Sequence, residues 1–138
     1  MRLLLLPLAL AATLTATVTA SAQAPVVSVK PAAGQTITQL ITSGFTYRVT
    51  SNVEVNFNAK LTLRRHGRTI TLTKSVRPET NYGQSADPVE YSMPYASDTA
   101  AAILRKYKTS ATVTLTVKVT GAGGYRATLV KKTKLAKG

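Results

Sequence analysis

The chain has 138 residues, of which 44% are hydrophobic, and its 18 basic and five acidic residues give it a formal charge of +13. The hydrophobic content excludes a disordered chain, and the length suits one domain with a core of its own. Because the chain contains no cysteine, a disulfide framework, a thiol nucleophile and a cysteine-ligated metal site are excluded.

The first 24 residues have the pattern of an export signal. Arg2 precedes a leucine-rich apolar run, and the segment ends in two overlapping Ala-x-Ala cleavage sites. This order of a basic, an apolar and a small-residue region is typical of secretory signals. We therefore expect cleavage after Ala24 or after Ala22. The first choice leaves a single domain over residues 25–138, located outside the cytoplasm or in the cell envelope.

A membrane anchor over residues 3–20 is the alternative interpretation of this segment. Threonines at alternate positions dilute the hydrophobicity of its second half, and no stop-transfer charges follow, so an export signal is favoured. Loss of Arg2 leaves the mature domain with 17 basic and five acidic residues, a formal charge of +12.

The mature part of the chain begins with two weak strand signals. An apolar run over residues 26–29 ends at Pro31, and residues 36–42 form a second weak strand candidate. A clearer pattern follows over residues 45–50, where apolar and polar side chains alternate. This alternation predicts a strand with an aromatic row on one side.

The strongest pattern of the chain covers residues 53–64, where every second side chain is apolar. It predicts a long, half-buried strand. His66 and Gly67 interrupt the alternation, which resumes beyond them, so residues 60–76 are predicted to form a hairpin closed near Gly67. Three arginines lie at its tip: Arg64, Arg65 and Arg68.

The following segment alternates less. Residues 78–88 show little periodicity and are expected to form a loop. Residues 89–93 alternate briefly before Pro94, which predicts a short edge strand.

One helix is predicted after this edge strand. Ser97 or Asp98 can cap it, and alanines, the best helix formers, follow directly. We expect two or three turns that pack over one end of the sheets through Ala101 and Leu104.

Two further strands are predicted in the last third of the chain. Residues 111–119 alternate apolar and polar side chains, the glycine-rich residues 121–124 turn the chain, and residues 125–129 resume the inward side. Six to eight strands with threonine-rich outer sides and one short helix predict an all-β fold, a two-layer antiparallel β-sandwich. A barrel is the alternative architecture.

Four of these features form a wider pattern in the order in which they occur. They are the long alternating strand, the arginine-rich hairpin over 63–68, the alanine-rich helix, and the strand and turn over 113–124. The pattern covers residues 36–136 and resembles the immunoglobulin-like modules of secreted bacterial proteins. This resemblance implies an immunoglobulin-like sandwich with a spacer, adhesion or interaction role, and it supplies no functional residues.

The chain offers little material for catalysis or metal binding. His66 is the single histidine and lies in a predicted turn, so we interpret it as a turn residue. Asp87 and Glu90 are the nearest acidic pair, and a small hydrolase that uses both is a remote alternative. We favour a turn acid and a solvent-facing glutamate instead. No enzymatic activity, catalytic residue, metal or cofactor is expected.

The basic residues are the remaining functional signal. They gather at the hairpin tip, after the helix and along the last strand, and such density binds anionic polymers through counterion release. We expect a non-enzymatic domain that associates with anionic cell-envelope or extracellular polymers and does not recognise nucleic-acid sequence. The candidate anion-binding residues are Arg64, Arg65, Arg68, Arg105, Lys106, Lys108, Lys131, Lys132 and Lys134, with Lys137 nearby.

Two other interpretations of the same residues stay open. Outward lysines on strands are a common means of keeping sheet edges from pairing with other chains. The domain would then be a structural or protein-recognition module, in which an exposed sheet edge or the segment 81–95 contacts a partner protein.

Overall fold

The computed structural model of the protein describes residues 24–83 and 87–138. The predicted export signal, residues 1–24, lies outside these ranges except for Ala24. No helix in the described ranges has the length and apolar character needed to cross a membrane. The described residues form two antiparallel sheets that pack as a β-sandwich, as the alternating patterns predict.

The smaller sheet, sheet A, has three strands with β2 in the middle. They are β1 (Val27–Pro31), β2 (Phe45–Ser51) and β6 (Val89–Met93). β6 lies at an edge of sheet A, which confirms the predicted short edge strand.

The larger sheet, sheet B, has five strands. They are β3 (Val55–Arg65), β4 (Arg68–Lys74), β5 (Glu79–Asn81), β7 (Ser110–Gly121) and β8 (Arg126–Ala136). Their order is β4-β3-β7-β8, and β5 pairs with the first residues of β3 on the same side as β4. Residues 78–88 were expected to be loop throughout, and β5 corrects this expectation over its three residues.

Period-two alternation is the reason these strands form a sandwich. β2, β3 and β7 bury every second residue over most of their length, because one side of each strand faces the opposite sheet. An aromatic cluster joins the two sheets. Its ring centroids lie 4.8 Å apart for Phe57 and Tyr91 and 6.3 Å apart for Tyr47 and Phe57, both in edge-to-face contact.

The predicted hairpin connects β3 to β4. His66 and Gly67 both have positive φ values, 52° and 75°, which a two-residue type I′ turn requires. The exposed histidine is therefore a turn residue, as its position predicts. A register shift between Leu61 and Thr62 marks a β-bulge in this pair of strands.

Residues 36–42 do not form the predicted strand. Ile37–Thr42 is a short helix, α1, and the expectation of a single helix is therefore wrong as well. The Thr36 hydroxyl accepts a hydrogen bond from the Gln39 N–H at 3.0 Å and so caps the helix. Ile37 and Leu40, three residues apart, both enter the core. Their burial on one side of a helical turn outweighs the β-propensity of the neighbouring threonines and isoleucines.

The predicted helix is α2 (Asp98–Leu104), and its cap is Ser97. The Ser97 hydroxyl accepts a hydrogen bond from the Ala100 N–H at 3.2 Å, and the Ser97 N–H donates one to the Leu72 carbonyl. Leu104 and Ala101 are buried, as predicted. α2 thus closes one end of the sandwich and directs the residues that follow it toward the β3–β4 hairpin.

Candidate anion-binding site

The hairpin tip and the segment after α2 are in contact. The Arg65 guanidinium lies 5.0 Å from the centroid of the Tyr107 ring. Stacking of this kind contributes about 0.5–1 kcal/mol at a partly exposed site. Tyr107 lies between Lys106 and Lys108, which are both exposed. The stacked pair therefore unites two groups of cations that the sequence separates by about 40 residues.

The C-terminal segment reaches the same end of the molecule. The Lys137 ammonium donates a hydrogen bond to the Arg105 carbonyl at 3.1 Å, and the Lys137 N–H bonds the Thr109 carbonyl. We call this region the basic end. It consists of Arg64, Arg65, Arg68, Arg105, Lys106, Lys108 and Lys137.

The structure divides the lysines of the last strand between two sides of sheet B. Lys132 and Lys134 lie opposite Thr114 and Thr112 of β7 and face outward. Lys131 lies opposite the buried Leu115, on the side of the sheet that faces the core. It is nevertheless exposed because β8 is an edge strand. An inward-pointing charge at an edge discourages pairing with another chain.

Lys131 also lines a cleft between the edges of the two sheets. The cleft has a volume of about 610 Å³ and includes Lys30 of β1 and Lys132 of β8. Lys132 therefore borders both this cleft and the outer side of sheet B, whereas Lys134 does not line the cleft.

Four further cations lie on the outer side of sheet B. They are Lys60 on β3, Lys74 on β4, Lys118 on β7 and Arg126 on β8, and all four are exposed. Lys60, Lys118 and Arg126 occupy polar positions of alternating strands, so the alternation identifies them as outward. Lys74 has the parity of the buried Leu72 and reaches the outer side only because of the β-bulge in this pair of strands. Their proximity depends on the strand order and register, which link positions far apart in the sequence.

The outer side of sheet B has no acidic residue at any outward position of its paired strands in the described ranges. Arg64, Lys132 and Lys134 face the same side as the four cations just named. The acids lie elsewhere: Glu54 precedes β3, Glu79 is opposite the buried Phe57, Asp87 lies between β5 and β6, Glu90 is on sheet A and Asp98 begins α2. The positive charge of this side is therefore uncompensated within the sheet.

Two adjoining depressions mark the outer side of sheet B. The larger has a volume of about 770 Å³, and the smaller one of about 340 Å³. Asn58 and Lys118 line both, so the two depressions adjoin at these residues. Arg126 lines the larger depression, and Lys60 and Lys74 line the smaller one.

Asp87 and Glu90, the acidic pair that a hydrolase would need, both lie near β6. Glu90 is exposed on the outer side of sheet A, and its Oε2 lies 3.6 Å from the Arg48 Nε. Asp87 is exposed near the beginning of β6. In the described ranges no three His, Cys, Asp or Glu side chains come together in a group that could hold a metal ion.

A tyrosine with a raised pKa lies inside the sandwich, away from the cations. Burial raises the pKa of Tyr47 to about 12. The nearby Ser75 lowers this pKa, but by less than burial raises it. The Tyr47 hydroxyl is buried and forms no hydrogen bond with the described residues. Tyr91, whose pKa is also raised by burial, donates a hydrogen bond to the Thr80 carbonyl at 3.0 Å. Neither hydroxyl is placed to act on a ligand at the outer surface.

Comparison with protein-family models, with curated proteins and with solved structures finds no match to this chain. The arrangement of the charges is therefore the feature of this chain that points to a function.

Proposed function

We propose that the protein is a non-enzymatic, exported domain that associates with anionic polymers of the cell envelope or extracellular space. The observation that carries this proposal is the convergence of cations at the basic end. The three segments that form it, residues 63–70, 104–113 and 131–138, contain no acidic residue. The Arg65–Tyr107 stack and the Lys137–Arg105 hydrogen bond connect these segments.

Association of this kind needs no deep pocket. Each cation that neutralises a charge on the polymer releases a counterion, and the resulting affinity falls steeply as salt is added. Surface lysines and arginines suit many weak contacts of this type. The domain would hold a polymer by summed charge and would not distinguish one repeat from the next.

The strand order supports an immunoglobulin-like assignment as part of the proposal. A three-stranded sheet β1-β2-β6 faces a sheet whose central order is β4-β3-β7-β8. This arrangement suits the spacer, adhesion or interaction role that the resemblance implies. A domain of this type would present its basic end to the polymer while the other end leads to the N-terminus.

The proposal is tested by retention of the purified protein on immobilised polyphosphate and on an acidic polysaccharide between about 50 and 500 mM salt, a range over which counterion release predicts a steep loss. Arg64→Gln/Arg68→Gln removes two cations of the basic end. Lys30→Gln/Arg77→Gln is the matched control, because it removes two exposed cations elsewhere. The first pair should make the slope of log affinity against log salt shallower by about 1.4–1.8.

With the control pair, the slope of log affinity against log salt should stay close to that of the unmodified protein. Equal losses for both pairs would show that only the net charge matters and would remove the assignment to the basic end. If the unmodified protein were not retained on either polymer at 50 mM salt, the proposed function would be wrong.

A protein-recognition role is the second candidate. In the described ranges β6 pairs only with β2, so its other edge is open. Val89, Tyr82 and Tyr95 near this edge are 40%, 63% and 62% exposed. An open edge beside exposed apolar side chains suits β-strand addition by a partner. A complex that survives high salt and is lost in Ser92→Pro, which is designed to disturb the β6 edge, would favour this role.

A further inference from the structure

A line of four cations crosses the outer side of sheet B obliquely. Lys74 on β4 lies directly opposite Lys60 on β3. Lys60 lies opposite Thr116, so Lys118, two residues further along β7, is its diagonal neighbour. Lys118 lies opposite Thr128, and Arg126 is in turn its diagonal neighbour on β8.

The spacing along this line follows from sheet geometry. Directly opposite Cβ atoms lie about 5 Å apart, and diagonal neighbours lie about 7–8 Å apart. The four cations therefore form a track of about 20 Å that visits every strand of the four-stranded path. The two depressions lie along this track, and Lys118 is at their junction. We call this feature the diagonal groove.

From these observations we infer that the diagonal groove is a binding site for a linear phosphate polymer without bases. The inference rests on the proposed function, names the polymer class, and adds the groove to the basic end as a second surface that contacts the polymer. Lysine binds phosphate as a point charge, and the planar fork of Arg126 can add bidentate contacts to phosphate oxygens. Three of the four cations of the track are lysines.

The neutral side chains of the groove also suit phosphate. Asn56, Asn58, Thr120 and Thr128 line the larger depression beside Lys118 and Arg126. Amide and hydroxyl donors of this kind commonly bond phosphate oxygens. No outward position of β3, β4, β7 or β8 carries an aromatic side chain. A nucleic acid would therefore find charge there but no ring on which to stack its bases.

This arrangement lowers the stability of the free protein. Lys60 and Lys74 are like charges in directly opposite positions, and such pairs destabilise a sheet. The outward positions of these strands supply no carboxylate to offset the repulsion. A bound chain of phosphates would offset it. Removing one of these lysines should therefore stabilise the free protein and weaken polymer binding, two effects of opposite direction from one substitution.

The test uses Lys60→Gln, with Lys30→Gln as the matched control, because Lys30 faces outward on sheet A opposite Arg48, which is itself paired with Glu90. Linear inorganic polyphosphate is the probe, with orthophosphate, an acidic polysaccharide and duplex DNA beside it. At 50 mM salt Lys60→Gln should lower the polyphosphate affinity about tenfold, the value of one released counterion. It should also raise the Tm of the free protein by about 2 °C.

The outcomes separate this inference from the proposed function. The inference is supported if Lys60→Gln shows both effects, Lys30→Gln shows neither, and polyphosphate binds more tightly than orthophosphate. It is overturned if the two variants lose equal affinity, or if the acidic polysaccharide or duplex DNA binds more tightly than polyphosphate. In those cases the proposed function still stands. If no polymer is bound at 50 mM salt, both proposals are wrong.

Discussion

The outer sides of the two sheets both carry a cross-strand row of cations, but only the row on sheet A includes an acid. On sheet A, Lys30, Arg48 and Glu90 lie side by side, and the Arg48–Glu90 pair is 3.6 Å apart. On sheet B, Lys74 faces Lys60 and the row continues without an acid. Cations on strands are therefore not in themselves a sign of binding. A missing counter-charge beside a concave surface is the more informative feature.

The largest change in polyphosphate affinity is expected when the charge of the diagonal groove is reversed. Lys60→Glu/Lys118→Glu should lower polyphosphate affinity more than about 100-fold at 50 mM salt, since two counterion-releasing contacts are lost and two repulsive ones are added. The measurement is a binding titration, with circular dichroism to verify the fold. An affinity within threefold of the unmodified protein would contradict the assignment of the groove.

A change on the inner side of sheet A separates stability from binding. Tyr47 has a folded pKa of about 12 against an ordinary value of 10.0. Between these values the unfolded chain releases a proton that the folded protein keeps, so stability is full below pH 10 and falls as the pH rises toward 12. Tyr47→Phe should reduce this loss, as measured by Tm at pH 9, 10 and 11.

The same variant should leave polyphosphate binding unchanged at neutral pH. Because the Tyr47 hydroxyl has no hydrogen-bond partner among the described residues, its removal should not lower the Tm at pH 7. Tyr91→Phe is the control, since it removes a hydrogen bond to Thr80 and should cost about 1 kcal/mol. An unchanged pH profile in Tyr47→Phe would show that another group causes the alkaline loss.

Glu90→Lys would make sheet A resemble sheet B. The row on sheet A would then contain three cations and no acid, and the like charges should lower the free energy of unfolding by up to about 1 kcal/mol. Binding of polyphosphate at 50 mM salt should increase, because a second uncompensated surface is created. Glu90→Gln, which removes the ion pair without adding a cation, should change stability less, as expected for an exposed pair.

The smallest effect is expected from repairing the row on sheet B. Lys74→Glu places an acid directly opposite Lys60 and should raise the free energy of unfolding by about 0.2–1 kcal/mol. It should also weaken polyphosphate binding more than Lys74→Gln does. A destabilised Lys74→Glu protein, measured by denaturant unfolding, would show that Lys60 and Lys74 do not repel each other in the free protein.

Local patterns predicted most of the strands because each strand has one buried side. The alternation over 53–64 became β3, and that over 111–119 became β7. There are two exceptions, the three-residue strand β5 in a segment without periodicity and the helix α1. The case of α1 shows the physical reason. Its residues favour a strand locally, and only the core position of Ile37 and Leu40 makes a helical turn the better conformation.

The candidate site was predictable in part. The arginines of the hairpin tip followed from the turn at Gly67, and the cations after the helix followed from the helix end. The lysines of β8 were predicted to form one group, but the structure divides them between two sides of the sheet. The reason is that neighbouring residues of a strand face opposite sides. Lys131 accordingly lies at a core-facing position and Lys132 at an outward one, and both line the cleft between the sheets.

The sequence by itself determined most of the strands, the hairpin at Gly67 and the outward position of Lys60, Lys118 and Arg126, since each depends on residues close together in the chain. Only the tertiary structure decided that a β-bulge turns Lys74 to the same side and that the four cations lie in one line. Their alignment depends on the order β4-β3-β7-β8 and on its register. Strand order and register are both set by how the buried sides of distant strands pack together. Local alternation of side chains does not predict this packing.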